Sequence, residues 1–345
     1  MVRLTFIHTE GPAVAQRTLI RELQPNQFLE GVFAINNAQL GQTRNGKPFL
    51  KCLISDRTGR LAGRMWSISE EQFKSLPTDG FVWLSAQSQP YQGEIQLIIQ
   101  EIYGVDPEPQ DLLDLLPTTP YDIDDMFRQV VDLLGRIKDP SLSALAKAYL
   151  QDEELMAKFR TAPAAMTLHH AYLGGLLEHT LSLMKLAELI LPRYPKLNAD
   201  IVMIGVFLHD LGKCSELTWE TGFGYSDDGH LVGHIARGIL WLEHKAQVCA
   251  ASGQKVSQPV LRVLHHIILS HHGLPEYGAL KIPATPEAIA IHQLDNLDAK
   301  LHMALAAGRP EGQPASDLGG AFTEKVWALD TRIYKPDPTT LPDEL

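Results

Sequence analysis

Cysteine is nearly absent from this chain. Cys52, Cys214 and Cys249 are scattered, odd in number and contain no CxxC pair. A disulfide framework is therefore excluded, and a reducing cytoplasmic compartment is expected. Long hydrophobic runs are missing too: the longest, Ile201 to Leu208, is far too short to span a bilayer and ends in His209-Asp210. Met1 to Gln16 hold one arginine and no apolar core of the kind that opens a secretory signal, so no membrane partner is expected. Positive charge is also scarce. The net charge is −11, so any nucleic-acid site must be a local patch rather than a global field. Neither GxGxxG nor a P-loop occurs, which removes the common nucleotide cradles.

What remains is an ordinary folded composition, 45% apolar and 21% charged, over 345 residues, long enough for two domains. Residues 18–105 read as β structure. Strand candidates are Phe28–Ile35, Phe49–Ser55, Leu61–Trp66, Phe81–Ala86 and Ile95–Tyr103, separated by turn signals such as Asn36-Asn37, Asn45-Gly46 and Gln92-Gly93. With a helical stretch at Ser69–Leu76, five short strands suit a small Greek-key barrel. Residues 106–121 hold four prolines and read as a linker. From Asp122 the apolar spacing turns to three and four, predicting helices over Asp122–Ile137, Ser141–Phe159, Leu173–Leu191, Ala199–Leu211, Gly233–Ala251 and Pro259–His272. A last helix opens at Thr285-Pro286, and Gly212 and Gly273 sit where helix C-caps belong.

Thirteen of the 14 histidines lie between His169 and His302, which points to a histidine-built site in the second half. His179 shares a helical face with Leu176, Leu183 and Leu186, so it points inward. Asp210 follows an apolar helix, and an ionised carboxylate beside a core needs a cation. Lys213 lies on the adjacent turn and is placed to hold a phosphate oxygen. His234, His265-His266, His271-His272, Asp295 and Asp298 follow. Mixed imidazole and carboxylate donors suit Mn²⁺, Fe²⁺ or Zn²⁺ better than Ca²⁺. So many candidates exceed what one tetrahedral ion needs and favour a two-metal clamp on a phosphoryl group.

The order His179, His209-Asp210, Asp295 resembles the H…HD…D signature of the HD superfamily of metal-dependent phosphohydrolases. A closer resemblance is to the YhaM-type 3′→5′ exoribonucleases, which join an OB-fold to an HD domain. It is carried by the stretches His169–Thr180 (HHAYLGGLLEHT), Leu208–Lys213 (LHDLGK), Ser270–Gly273 (SHHG) and Leu294–Lys300 (LDNLDAK), and by similar residues near Phe322, Trp327 and Tyr334. It spans roughly residues 18–336. The resemblance implies a multi-domain fold: an all-β OB-fold barrel over 18–105 that binds nucleic acid, then an all-α HD domain over 122–336. It makes His179, His209, Asp210 and Asp295 the primary ligands of two divalent ions, Mn²⁺ before Fe²⁺, Co²⁺ or Zn²⁺. His234, His271 and His272 complete the second position. Asp210 and Lys213 carry the catalytic roles, and His169 and His170 stand as candidate phosphate contacts. Asp298, one turn beyond Asp295, is expected to support or pair rather than ligate.

Between Gly41 and Trp66 six basic residues (Arg44, Lys47, Lys51, Arg57, Arg60, Arg64) face one acid, Asp56, a local charge of +5. Phe33, Phe49, Trp66 and Tyr91 accompany them. Cations along a backbone with aromatics for bases is how OB-folds hold single strands. Arg44, Lys47, Lys51, Arg64 and Trp66 are the expected contacts. The expected activity is digestion of single-stranded RNA, and conceivably of single-stranded DNA, to nucleoside 5′-monophosphates. A homo-oligomer is left open. Two rivals stand beside this reading: a phosphohydrolase of free or cyclic nucleotides, and a non-catalytic nucleic-acid-binding factor.

Overall fold

The computed structural model describes residues 18–43, 45–91, 94–107, 115–166, 170–219, 223–309 and 320–339. The chain divides into two compact units, with the division between Leu116 and Pro117.

The first unit is a closed barrel of β1 (Phe28–Gln42), β2 (Pro48–Asp56), β3 (Gly59–Trp66), β4 (Gly80–Tyr91) and β5 (Glu94–Gly104), in the order β1-β2-β3-β5-β4. Alternation builds it. Leu50, Cys52 and Ile54 of β2 point inward while Lys51 is exposed, and Val82, Leu84 and Ala86 do the same on β4. With Phe33, Ile35, Leu97 and Ile99 they fill the interior. Neighbouring strands are antiparallel except at the closure, where Ala62–Arg64 of β3 run parallel to Gln96–Ile98 of β5. A short helix, α1 (Glu70–Lys74), lies between β3 and β4, its N-terminus capped by Ser69. This is the OB-type architecture. One expectation needs correction: Asn36-Asn37 do not end a strand but form a bulge within β1, where the register slips and Asn37 adopts φ 53°. Bulges and turns demand the same left-handed backbone that asparagine tolerates, so the local signal is shared.

The second unit is almost wholly helical. Its elements are α2 (Ile123–Leu134), α3 (Pro140–Leu150), α4 (Glu153–Thr161), α5 (Gly175–Ile190), α6 (Ala199–Leu208), α7 (Lys213–Glu216), α8 (Asp227–Leu231), α9 (Gly233–Ala251), α10 (Gln258–Ser270) and α11 (Pro286–Gly308). Every residue of α6 from Ile201 to Leu208 is buried, which explains an apolar run without a polar face: α6 is the central helix, packed by α3, α5, α10 and α11. The expected helix Ser141–Phe159 is two helices, because Asp152 caps α4 through the Leu155 N–H and pairs with Lys245 at 2.8 Å. Two small hairpins join them, β6–β7 (Leu217–Thr218, Gly224–Tyr225) and β8–β9 (Phe322–Val326, Thr331–Tyr334). Residues 117–119 pair with Leu173 and so belong to the helical unit. No helix among the described residues is long and apolar enough to cross a membrane.

Candidate metal centre

Five helices and their ends aim side chains at one buried volume. α5 supplies His179; the end of α6 supplies His209 and Asp210; α9 begins with His234; α10 ends at His271 and His272; α11 supplies Asp295. His179, His209, Asp210 and His271 are fully buried. Potential ligand atoms of the expected residues form two groups, each within 4.8 Å: His179, His209 and Asp295 in one, and Asp210, His234, His271 and His272 in the other. His170 takes part in two further groups beside them, with His179 and Asp298 and with Glu178 and His302.

Asp210 joins the groups. Its Oδ2 lies 3.4 Å from His209 Nε2 and 3.9 Å from His179 Nε2, while its Oδ1 lies 3.3 Å from His271 Nε2 and 3.6 Å from His234 Nε2. Asp295 Oδ1 lies 3.2 Å from His179 Nε2. Donor-to-donor spacings of about 3.0–3.5 Å are what bonds of about 2.1 Å to a shared ion produce.

The imidazole orientations carry the same message. His209 Nδ1 is 2.6 Å from the Val206 carbonyl, His271 Nδ1 2.8 Å from the Ile268 carbonyl, and His272 Nδ1 2.6 Å from the Tyr277 carbonyl. His179 Nδ1 is 2.8 Å from Asp298 Oδ2, and His234 Nδ1 is 2.8 Å from Glu216 Oε2. An oxygen acceptor at Nδ1 places a proton there and leaves Nε2 as the nitrogen available to a metal. Nε2 of His209, His234 and His271 and Oδ1 of Asp210 are buried without a hydrogen-bond partner. Four orphaned buried atoms facing one another would cost several kcal/mol unless something fills the space. A divalent cation fits this donor set.

The electrostatics agree. Burial keeps His209 and His271 neutral, pushing His271 down to about 3. Burial works against charge on His179 as well, but hydrogen bonds to Asp295 and Asp298 outweigh it and raise its pKa to about 9. Burial should protonate Asp210, yet Lys213, His209 and His271 hold it well below the ordinary carboxylate range; His179 does the same for Asp295. His179 and Lys213 thus supply the positive charge that keeps both carboxylates ionised in this buried site.

Lys213 reaches Asp210 Oδ2 at 2.6 Å with its side chain 12% exposed, which leaves two ammonium donors for another oxygen. His170 is not placed to meet a phosphate: it is buried, with Nε2 3.1 Å from Asp298 and Nδ1 2.8 Å from Tyr172 Oη, so both nitrogens serve protein groups. His169 lies outside the described residues. Glu216, Tyr172, Glu178 and His302 belong to the surrounding network but were not singled out by sequence. For His302 a signal existed, since Asp295, Asp298 and His302 follow i, i+3, i+7 on one face of α11.

On the barrel, Lys47 and Lys51 are exposed, Trp66 is 47% exposed and Tyr91 44%. The Arg64 guanidinium lies 5.0 Å over the Tyr91 ring and 6.0 Å from that of Trp66. Lys51 pairs with Arg64 in register, and Phe49 with Trp66. Asp56, the single acid of the basic stretch, accepts from Ile20 N, Thr58 N and Thr58 Oγ. Phe33 is wholly buried and serves the core, not a base. Arg44 lies outside the described residues.

The HD domain family matches residues 176–300, the span that contains all seven metal-ligand candidates. Fold and site thus define a class: an HD-domain, divalent-metal phosphohydrolase preceded by an OB-type barrel. The 3′-5′ exoribonuclease YhaM of Geobacillus sp. (strain WCH70) is 33% identical over 307 residues, covering 88% of this chain and 90% of that protein. The chain belongs to the YhaM family of HD-domain exoribonucleases.

Proposed function

We propose that this chain is a 3′→5′ exoribonuclease that digests single-stranded RNA from its end with two divalent ions, Mn²⁺ foremost, held by His179, His209 and Asp295 on one side and His234, His271 and His272 on the other, with Asp210 between. The observation that carries the reading is the common orientation of four imidazoles, His179, His209, His234 and His271, each held at Nδ1 by an oxygen and turned with Nε2 toward the Asp210 carboxylate. Bound there, the ions supply a lowered water pKa and stabilisation of charge on the transferring phosphorus.

The chain's own residues set the rest. Asp210 offers one oxygen to each group. The Lys213 ammonium, kept charged by Asp210 against its burial, is available to a phosphate oxygen. No side chain with a pKa near 7 is required as a strong base. Burial of the ligand set supports end-on digestion, because a recessed site admits a chain terminus more readily than an internal bond of a folded strand. The exposed Lys47, Lys51, Trp66 and Tyr91, with the half-buried Arg64 beside the two rings, suit a strand of unpaired bases, and the same chemistry serves single-stranded DNA. The 3′→5′ polarity follows the activity in the relative's name.

The test is hydrolysis of a short oligoribonucleotide beside free and cyclic mononucleotides, in Mn²⁺ and then in excess chelator. Metal-dependent release of 5′-monophosphates from the oligonucleotide is expected. Turnover of mononucleotides alone would favour a nucleotide phosphohydrolase, and binding without hydrolysis a non-catalytic factor.

A further inference from the structure

Behind the inward-facing nitrogens the five imidazoles are not alike. His209, His271 and His272 lean on backbone carbonyls, which are neutral and fixed by helix ends or a tight loop. His179 and His234 lean on carboxylates, Asp298 and Glu216. Each ligand group therefore contains one carboxylate-backed ring. Neither carboxylate occurs by chance of a mobile side chain. Asp298 Oδ2 accepts from both His179 Nδ1 (2.8 Å) and His170 Nε2 (3.1 Å), and its Oδ1 accepts from Ser182 Oγ. His170 is fixed in turn by the Tyr172 hydroxyl, which donates to Glu178 at 2.8 Å, while Thr119 holds the other Glu178 oxygen. Glu216 is aimed by a second contact, its Oε1 accepting from the His234 backbone N–H at 3.3 Å.

A carboxylate behind an imidazole makes the opposite nitrogen a stronger donor than a carbonyl does, and it fixes the ring's tautomer and angle. We infer that Asp298 and Glu216 are positioning residues, each setting the metal affinity of one half of the centre independently of the other. Asp298 acts on the His179–His209–Asp295 half, with His170 and Ser182 holding its aim. Glu216 acts on the Asp210–His234–His271–His272 half. The inference rests on the two-metal reading above and adds to it a division of control between two residues that touch neither ion nor substrate.

The experiment is calorimetric titration of Mn²⁺ into the metal-free full chain, for the wild type, Asp298→Asn, Glu216→Gln and the double variant. Wild type should bind two ions. Each single variant should keep one ion at its original affinity and bind the other about 10–100-fold more weakly, and the double variant should weaken both. Kinetics should follow: kcat falls at limiting Mn²⁺, KM for RNA stays near its wild-type value, and excess Mn²⁺ restores kcat. Metal-free thermal melts serve as a control, because a merely structural role would lower the melting temperature without splitting the isotherm or yielding to excess metal. Single variants that bind both ions like the wild type would overturn the inference and leave the two-metal reading intact. A variant weakening both ions equally would also overturn it. A wild type that binds fewer than two ions would instead bring down the reading underneath.

Discussion

Without metal, the candidate ligand His179 is held in its charged form at neutral pH, because Asp295 and Asp298 flank it in the interior. Its pKa of about 9 stands above the ordinary histidine value, so its charge stabilises the metal-free fold fully below about pH 6.5 and progressively less as pH rises through 9. Metal needs the neutral ring. Uptake at pH 7 should therefore release about one proton at this position, and affinity there should rise about tenfold per pH unit until it flattens near 9. Calorimetry in two buffers of different ionisation heat measures that proton, and a heat independent of buffer would contradict it. Asp210 invites a second test. Asp210→Ala should reduce hydrolysis to background while far-UV circular dichroism stays unchanged, since Ile201, Ile204 and Leu208 hold α6. This level of the molecule was largely readable in the chain, because metal chemistry needs particular residue types and they crowd one stretch. Glu216 was not readable: nothing in its local sequence distinguishes it from a surface acid until His234 folds against it.

At the scale of elements, two glycines predicted as helix C-caps prove different. Gly273 does take φ 82° at the end of α10. Gly212 has φ −58°, ordinary helical backbone; it is glycine because a Cβ there would sit 2.1 Å from the His234 carbonyl oxygen. That close approach brings Asp210 and His234 to one centre. Gly212→Ala should cost about 1–3 kcal/mol of stability through forced displacement and should also weaken Mn²⁺ binding, both measurable by melts with and without metal. Unchanged metal binding would show that the approach does not matter. The break between α3 and α4 offers a contrast. Apolar spacing continues through it in phase, so periodicity alone predicts one helix, and the break depends on Asp152. Asp152→Ala should remove about 1 kcal/mol and lower the melting temperature by about 2–4 °C, with Mn²⁺-supported turnover unaffected. The β8–β9 hairpin was invisible for another reason: five and four residues without clean alternation carry no period to detect.

At the scale of the whole chain, the barrel and the helical unit each have their own core, and their chemistry divides accordingly. In the proposed reading the cations on the barrel contribute affinity through phosphate contacts, whose signature is salt dependence. Replacing Lys47, Lys51 and Arg64 together by Ala should weaken binding to long single-stranded RNA and flatten its log–log salt slope by about 2, at about 0.7 per contact. Hydrolysis of a short oligonucleotide at saturating concentration should survive. The central claim, a buried metal centre that digests a strand from its 3′ end, is tested most directly by one gel. A 5′-labelled single-stranded RNA, the same strand with its 3′ end blocked by phosphate, and a circular RNA of equal length are incubated with the full chain in Mn²⁺. A ladder that shortens from the 3′ end of the first strand, slowed by the block, with the circle intact, is the expected result; cleavage of the circle would contradict it and mark an endonuclease with an open site.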